Sequence, residues 1–453
     1  MIPGGAEPVI GRHRPVVIVF LVVINIIVFI YTTSSGIPLY ASSQQAVNEF
    51  GFKPGYIFYN PQRAIVTMFT SMFVHADLLH IFFNMYFLWL FGSRIERTIG
   101  HLKTLLLYFL SGLAAILFHI GFIPIGGYES LLIPAVGASG AISGVLGAYL
   151  LLFPHTRLSL CFFYFFIPFC FNLPAYAFLL FWFAEQVLYG YLQLGGVAYF
   201  AHIGGFVMGL FLIPHLYKPR RRYPVYLDYV LKYLYEYLGI QVVRPRGLGR
   251  TAKTILVILL LLVATGFMYA AYSSTNAPFN TYIVNVKTTL VEGAVEDTIL
   301  LYFMPGSPTP IDFTLSYIDS VRITLNRLQP LLYNSTYEGK GGEVEYQYYL
   351  YTVRIRGVDV EVVLRDFYAK YNEKGVMVYS RGVLDTYVVV DNKLGSKTTI
   401  SFNYNAYDVN LDLMVPLCLL AASLSVFAIS SILKSDETSV FSSLELPGAY
   451  PYI

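Results

Sequence analysis

Long apolar runs separated by short polar breaks set the pattern of this chain. Eight of the runs are long enough to cross the ~30 Å hydrocarbon layer of a bilayer. They cover roughly residues 15–33, 74–92, 103–122, 137–153, 172–190, 199–217, 254–272 and 413–433. The first has a longer apolar core than a secretory signal, and no clear small-x-small cleavage site follows it. It therefore reads as a retained span. Between the seventh and eighth runs the pattern changes. Tyr346–Ile355, Val358–Leu364 and Tyr387–Val390 are rich in Val, Ile and Tyr, and Gly357 and the Asp391–Gly395 region punctuate them. That is the signature of strands and turns. The predicted fold is an all-α polytopic membrane protein, a six-helix core plus two further transmembrane helices, with an inserted β-rich domain. The expected division is a core over 1–217, a linker over 218–253, the seventh helix over 254–272, the β-rich domain over 273–412, the eighth helix over 413–433 and a tail over 434–453.

Composition agrees with a membrane protein. Apolar types make up 56% of the 453 residues and charged types 13%, against ~25% charged in a typical soluble domain. A net charge of +3 is too small to imply a nucleic-acid partner. Cys161, Cys170 and Cys418 all sit in apolar runs, so no disulfide framework is expected. Lys and Arg set orientation. Arg12 and Arg14 precede the first run, Arg94, Arg97 and Lys103 lie between the second and third, and Arg157 follows the fourth. Nine more fall in 218–253, whereas 123–136 and 190–198 hold none. Both termini are therefore expected in the cytoplasm of a cell-membrane protein, with 273–412 outside. The sequon Asn334-Ser335-Thr336 suits that placement. In the linker, Tyr226, Tyr229, Tyr233 and Tyr237 recur at helical spacing. A helix lying on a membrane surface and a plain solvated connector fit them equally.

Ionisable and polar groups inside a membrane are costly and call for a reason. The fourth run opens Gly137-Ala138-Ser139-Gly140. A serine becomes a nucleophile once a neighbouring base takes its proton, and flanking glycines let a substrate backbone approach and expose N–H groups to an oxyanion. Alone, the stretch reads better as a helix-packing face. The sixth run supplies His202, followed on the same helical face by Gly205 and Gly209. Gly140, Gly144 and Gly147 flank the face of Ser139, so the two helices can approach closely. A lone helix-end histidine would more simply bond to backbone. In the second run His80 and Asn84, four apart, share a face, and both can donate to a negative oxygen. His75 points elsewhere, toward a water interface. His80 and His202 could also be metal ligands, but no H-E-x-x-H pattern accompanies them.

Taken in order, His75-x4-His80-x3-Asn84, Gly137-x-Ser139-Gly140 and Ala201-His202-x2-Gly205-x3-Gly209 resemble the rhomboid protease family over about residues 15–217. Gly92-x3-Glu96-x3-Gly100 resembles it too. The resemblance implies a six-span core and a Ser139–His202 dyad without an acidic third member. It also implies oxyanion donors at His80, Asn84 and Ser139, no metal or cofactor, and cleavage of transmembrane segments of partner proteins. The chain departs from the family at Ser143, where an aromatic residue usually packs near the histidine.

The expected mechanism is proton transfer from Ser139 to His202, attack on a carbonyl, and hydrolysis of an acyl-enzyme. The Gly195-Gly196 loop would let the fifth span and the cavity cover move. The rival readings are a non-catalytic rhomboid relative that binds membrane proteins, and a transporter or channel. Glu185 and Gln186 in the fifth span, which receive no role, speak for the transporter. The outside domain either recruits substrates or serves assembly. Oligomeric state and substrate identity are not encoded in any motif.

Overall fold

The computed structural model describes residues 2–6, 14–33, 40–164, 167–194, 196–217, 247–290, 293–304, 312–313, 318–355, 358–390 and 393–435. Arg12, Gly195, linker residues 218–246 with their tyrosines, and tail residues 436–453 lie outside that set.

Each of the eight apolar runs is helical. Helix α1 is Val16–Thr33. The second run is α5 (Leu78–Phe87), a π turn at Leu88–Gly92, and α6 (Ser93–Ile99). Next come α7 (His101–Gly126), α8 (Ser139–Leu152), α9 (Ala175–Leu192) and α10 (Tyr199–Leu216). The last two are α11 (Arg250–Thr275) and α13 (Met414–Leu433). Among the described residues, six helices are long and apolar enough to cross a membrane: α1, the α5–α6 unit, α7, α10, α11 and α13. Glu185 and Gln186 lower the hydropathy of α9, and α8 has only 14 residues, about 21 Å of helix. Helix α8 is central instead of lipid-facing, since every residue from Ala141 to Leu152 is buried. Val19, Phe20 and Ile27 on α1, Ile258 and Leu262 on α11, and Leu420 and Phe427 on α13 are exposed. Apolar stripes of that kind belong in hydrocarbon, and the chain is an integral membrane protein.

Local chemistry sets the helix ends. Asp77 caps α5 by accepting from the His80 N–H at 2.8 Å, and Gly100, at φ +87°, turns the chain from α6 into α7. Among the described residues, three short helices, α2 (Gln44–Phe50), α3 (Tyr56–Tyr59) and α4 (Pro61–Thr70), lie between α1 and α5. Ser43 caps α2 and Asn60 caps α4.

Among the described residues, two sheets complete the fold. Strands β2 (Arg157–Tyr164) and β3 (Ile167–Pro174) form a hairpin that β1 (Ile2–Ala6) extends. The sequence reading has no strands here and starts the fifth span at 172. A short apolar run without alternation does not distinguish strand from helix, and α9 begins only after Pro174. The larger sheet adds β4 (Asn280–Leu290), β5 (Gly293–Phe303), β6 (Asp312–Phe313), β7 (Tyr333–Glu338), β8 (Gly342–Ile355), β9 (Val358–Tyr371), β10 (Lys374–Val390) and β11 (Lys393–Asp408). These eight antiparallel strands run in the order β6-β5-β4-β11-β10-β9-β8, and β7 pairs with β10. The sheet is built between Asn280 of β4 and Asp408 of β11. Helix α12 (Asp319–Leu328) covers one face through Val321, Leu325 and Leu328.

Candidate active site

Ser139 is the first residue of α8, and His202 lies in the first turn of α10. The two helices meet along glycines. A methyl carbon placed on Gly205 would fall 1.9 Å from the Gly140 carbonyl oxygen, and one on Gly209 would fall 1.9 Å from that of Gly144. Any larger residue would force the helices apart. The contact brings Ser139 Oγ to 2.8 Å from His202 Nε2, an ordinary hydrogen bond. The start of α8 also leaves the N–H groups of Ser139, Gly140 and Ala141 outside the helix's own ladder, at the positive end of its dipole.

Gly137 adopts φ +118°, a conformation that side chains rarely take. A methyl there would lie 2.7 Å from His80 Nε2 and 3.7 Å from Ser139 Oγ. Glycine therefore keeps open the space between serine and His80, where a negative oxygen would need room. The His80 ring is held from behind, with Nδ1 accepting from the Ala76 N–H at 3.4 Å. In the neutral ring this leaves the proton on Nε2, facing that space. Asn84 donates from Nδ2 to the His80 carbonyl at 2.9 Å and lines the same cavity. His75 is not at a water interface. It is fully buried, edge-on to His80 with ring centroids 5.1 Å apart. Its Nε2 accepts from the Ala138 N–H at 3.4 Å, and its Nδ1 bonds the Phe73 carbonyl at 3.3 Å. His75 thus ties the α5 approach to the residue before Ser139.

The cavity encloses about 460 Å³. Phe83, Phe87, Ile142, Leu146 and Trp182 give it apolar walls, and Asp77, His80, Asn84, Ser139, Ser143 and His202 supply the polar groups. Ser143 gives the imidazole no ring to rest on, and its Oγ donates to the Ser139 carbonyl at 2.7 Å. The aromatic neighbour of His202 is Trp182 of α9, with centroids 6.2 Å apart. Sequence reasoning does not place Trp182 or Gln186 here, because both reach the site from a third helix. Gln186 Oε1 lies 2.7 Å from His202 Nδ1. Among the described residues no group of three or more His, Cys, Asp or Glu side chains gathers that could hold a metal ion. The arrangement can do acid–base chemistry at an activated alcohol, beside donors for a negative oxygen and within an apolar pocket.

Residues 62–219 match the family model for the rhomboid domain. Rhomboid protein 1, mitochondrial, of Saccharomyces cerevisiae is 33% identical over 150 residues, 32% of this chain and 40% of that protein. RHOMBOID-like protein 1 of Arabidopsis thaliana is 34% identical over 158 residues, 34% of this chain and 35% of the relative. Rhomboid protease GluP of Bacillus subtilis is 35% identical over 83 residues, 18% and 15% of the two chains. The chain spans less than half the length of these curated relatives.

Proposed function

Because the chain is a rhomboid family protein, with that domain at residues 62–219, we propose that it is an intramembrane serine endopeptidase that cleaves transmembrane segments of other membrane proteins. The observation that carries this reading is the 2.8 Å contact between Ser139 Oγ and His202 Nε2, made across two helices at the floor of an apolar cavity. His202 takes the serine proton as Oγ attacks a carbonyl carbon. The negative oxygen rests among the Ser139 N–H, His80 Nε2–H and the Asn84 amide, one such donor being worth on the order of 3 kcal/mol. The intermediate collapses as the peptide C–N bond breaks and His202 gives its proton to the leaving amine; water, losing a proton to the same imidazole, then hydrolyses the acyl-enzyme and returns Ser139 to its hydroxyl form. A substrate helix hides its peptide bonds, so it unwinds before the cut, and small or helix-weakening residues there favour cleavage.

In this reading residues 1–217 are the protease core, both termini and the 218–253 linker face the cytoplasm, and helices 254–272 and 413–433 hold residues 273–412 outside. Full-length protein in detergent, given a membrane-anchored reporter, tests the chemistry. Wild type should cut the reporter and take a fluorophosphonate probe at Ser139, while Ser139→Ala and His202→Ala should do neither. Cutting by Ser139→Ala would refute the nucleophile. Wild type that neither cuts nor labels would favour a non-catalytic membrane-protein binder.

A further inference from the structure

We propose that Gln186 is a positioning residue that makes the Ser139–His202 pair a three-member relay with a neutral third partner; this rests on the protease reading above. The imidazole of His202 is bonded on both sides, Nε2 to Ser139 Oγ at 2.8 Å and Nδ1 to Gln186 Oε1 at 2.7 Å. A neutral imidazole has one N–H. An amide oxygen can only accept, so that proton sits on Nδ1 and points at Gln186. Nε2 is then left with its lone pair toward the serine hydroxyl, the tautomer a general base needs. As Ser139 attacks, its O–H bond breaks and the proton passes to Nε2. The Nδ1–H stays on Oε1, and the amide dipole shares the positive charge that the ring acquires.

Position and burial support the role. Gln186 is 6% exposed. Trp182 lies one turn earlier on α9, so the same helical face gives the imidazole both its hydrogen-bond acceptor and its ring neighbour. An amide also suits the place better than a carboxylate, since an ionised group buried at membrane depth is far more costly than a neutral one. The consequence is structural as well. The base is oriented by α9, while the nucleophile stands on α8 and the base itself on α10. His202 is therefore held in its working tautomer only while α9 is seated against it.

The test compares wild type, Gln186→Leu, Gln186→Glu and Ser139→Ala as full-length protein in detergent, reading kcat, KM and the pH–rate profile on a fluorogenic transmembrane reporter. Gln186→Leu should lower kcat roughly 10- to 100-fold with KM within about twofold, part of the 10²–10⁴ that a general base contributes. In Gln186→Glu the carboxylate favours the protonated ring, so the acid limb of the profile should move to higher pH. His80 and Asp77 also face the cavity, and they are the same in every variant, so they leave the comparison between profiles unchanged. Ring-¹⁵N histidine spectra should show His202 protonated at Nδ1 in wild type and a mixture of tautomers in Gln186→Leu. Wild-type kcat and tautomer in the Leu variant, or an unmoved acid limb in the Glu variant, would overturn the role of Gln186 and leave the protease standing. Activity surviving in Ser139→Ala would instead remove the protease reading and this role with it.

Discussion

Glu96 has no exposed surface, yet it is fully engaged. Its two oxygens accept from the Val17 and Ile18 N–H groups at 2.8 Å each, and His101 Nδ1 bonds one of them. It thus satisfies orphan donors at the start of α1 from a different helix, with its charge at the favourable end of the α1 dipole. Gln has only one accepting oxygen, so Glu96→Gln turns an N–H toward a backbone donor. The expected cost is about 1–3 kcal/mol, seen as a lower thermal midpoint in detergent; an unchanged midpoint would show that the carboxylate is dispensable. The same contrast explains what single residues reveal in a sequence. Ser139, His202, His80 and Asn84 stand out because they are polar in apolar runs and obey a spacing within their own helices. Gln186 is just as visible, but its partner is on another helix, and no periodicity within α9 points to it. Glu96 stands in a motif, but only packing shows that it caps α1.

At the scale of elements, the meeting of α8 and α10 decides the geometry of the site. Gly140, Gly144 and Gly147 on one helix and Gly205 and Gly209 on the other were legible as a close-approach seam, since small residues at these spacings let membrane helices touch. The short length of α8 follows from its burial, because a helix surrounded by others need not match the hydrocarbon thickness. The hairpin at 157–174 was not legible, because its apolar run carries no alternation. The seam yields a prediction. Gly209→Ala would set a methyl 1.9 Å from the Gly144 oxygen, so the helices must separate. Overpacking typically costs about 1–3 kcal/mol, and a misplacement of ~1 Å at reacting groups costs on the order of 100-fold in rate. Reporter cleavage should therefore fall far more than the thermal midpoint does. Gly249→Ala, where nothing lies within 4 Å of the added carbon, should leave both unchanged. Equal, small effects in the two variants would mean that the seam does not set the dyad.

In the whole molecule, the large sheet is seated on the helical core. Successive residues of β4 serve different cores: Tyr282, Val284 and Val286 join the sheet's own interior, while Ile283 packs with Phe52, Tyr56 and Leu131 of the helical part. Strand β5 (Gly293–Phe303) repeats this, with Ile299 and Leu301 inward and Leu300 toward the core. The Tyr59 and Tyr407 rings sit 5.7 Å apart across the same boundary. Burial pushes the Lys53 ammonium below its usual range, nearby Arg63 adds to this, and Asp297 of β5 pulls the other way. The β-rich composition of this region was legible, but its seating was not, because alternation marks only one buried face. The signal was the unbroken apolar run Ile299–Leu301, the mark of a strand buried on both sides. Removing residues 273–412 would uncover Phe52 and Tyr56, so lost processing after such a deletion reports lost packing as well as lost recruitment. Paired alanines separate the two. Large-to-small changes at buried sites cost about 2–5 kcal/mol each. With Ile283→Ala and Leu300→Ala together, the sheet should keep its strand circular dichroism while the junctions near 276–279 and 408–411 become open to protease and the helical core melts earlier. Val284→Ala with Leu301→Ala, on the other face, should melt the sheet itself. If both pairs lose strand signal alike, the sheet has one shared core with the helices and does not dock as a folded unit.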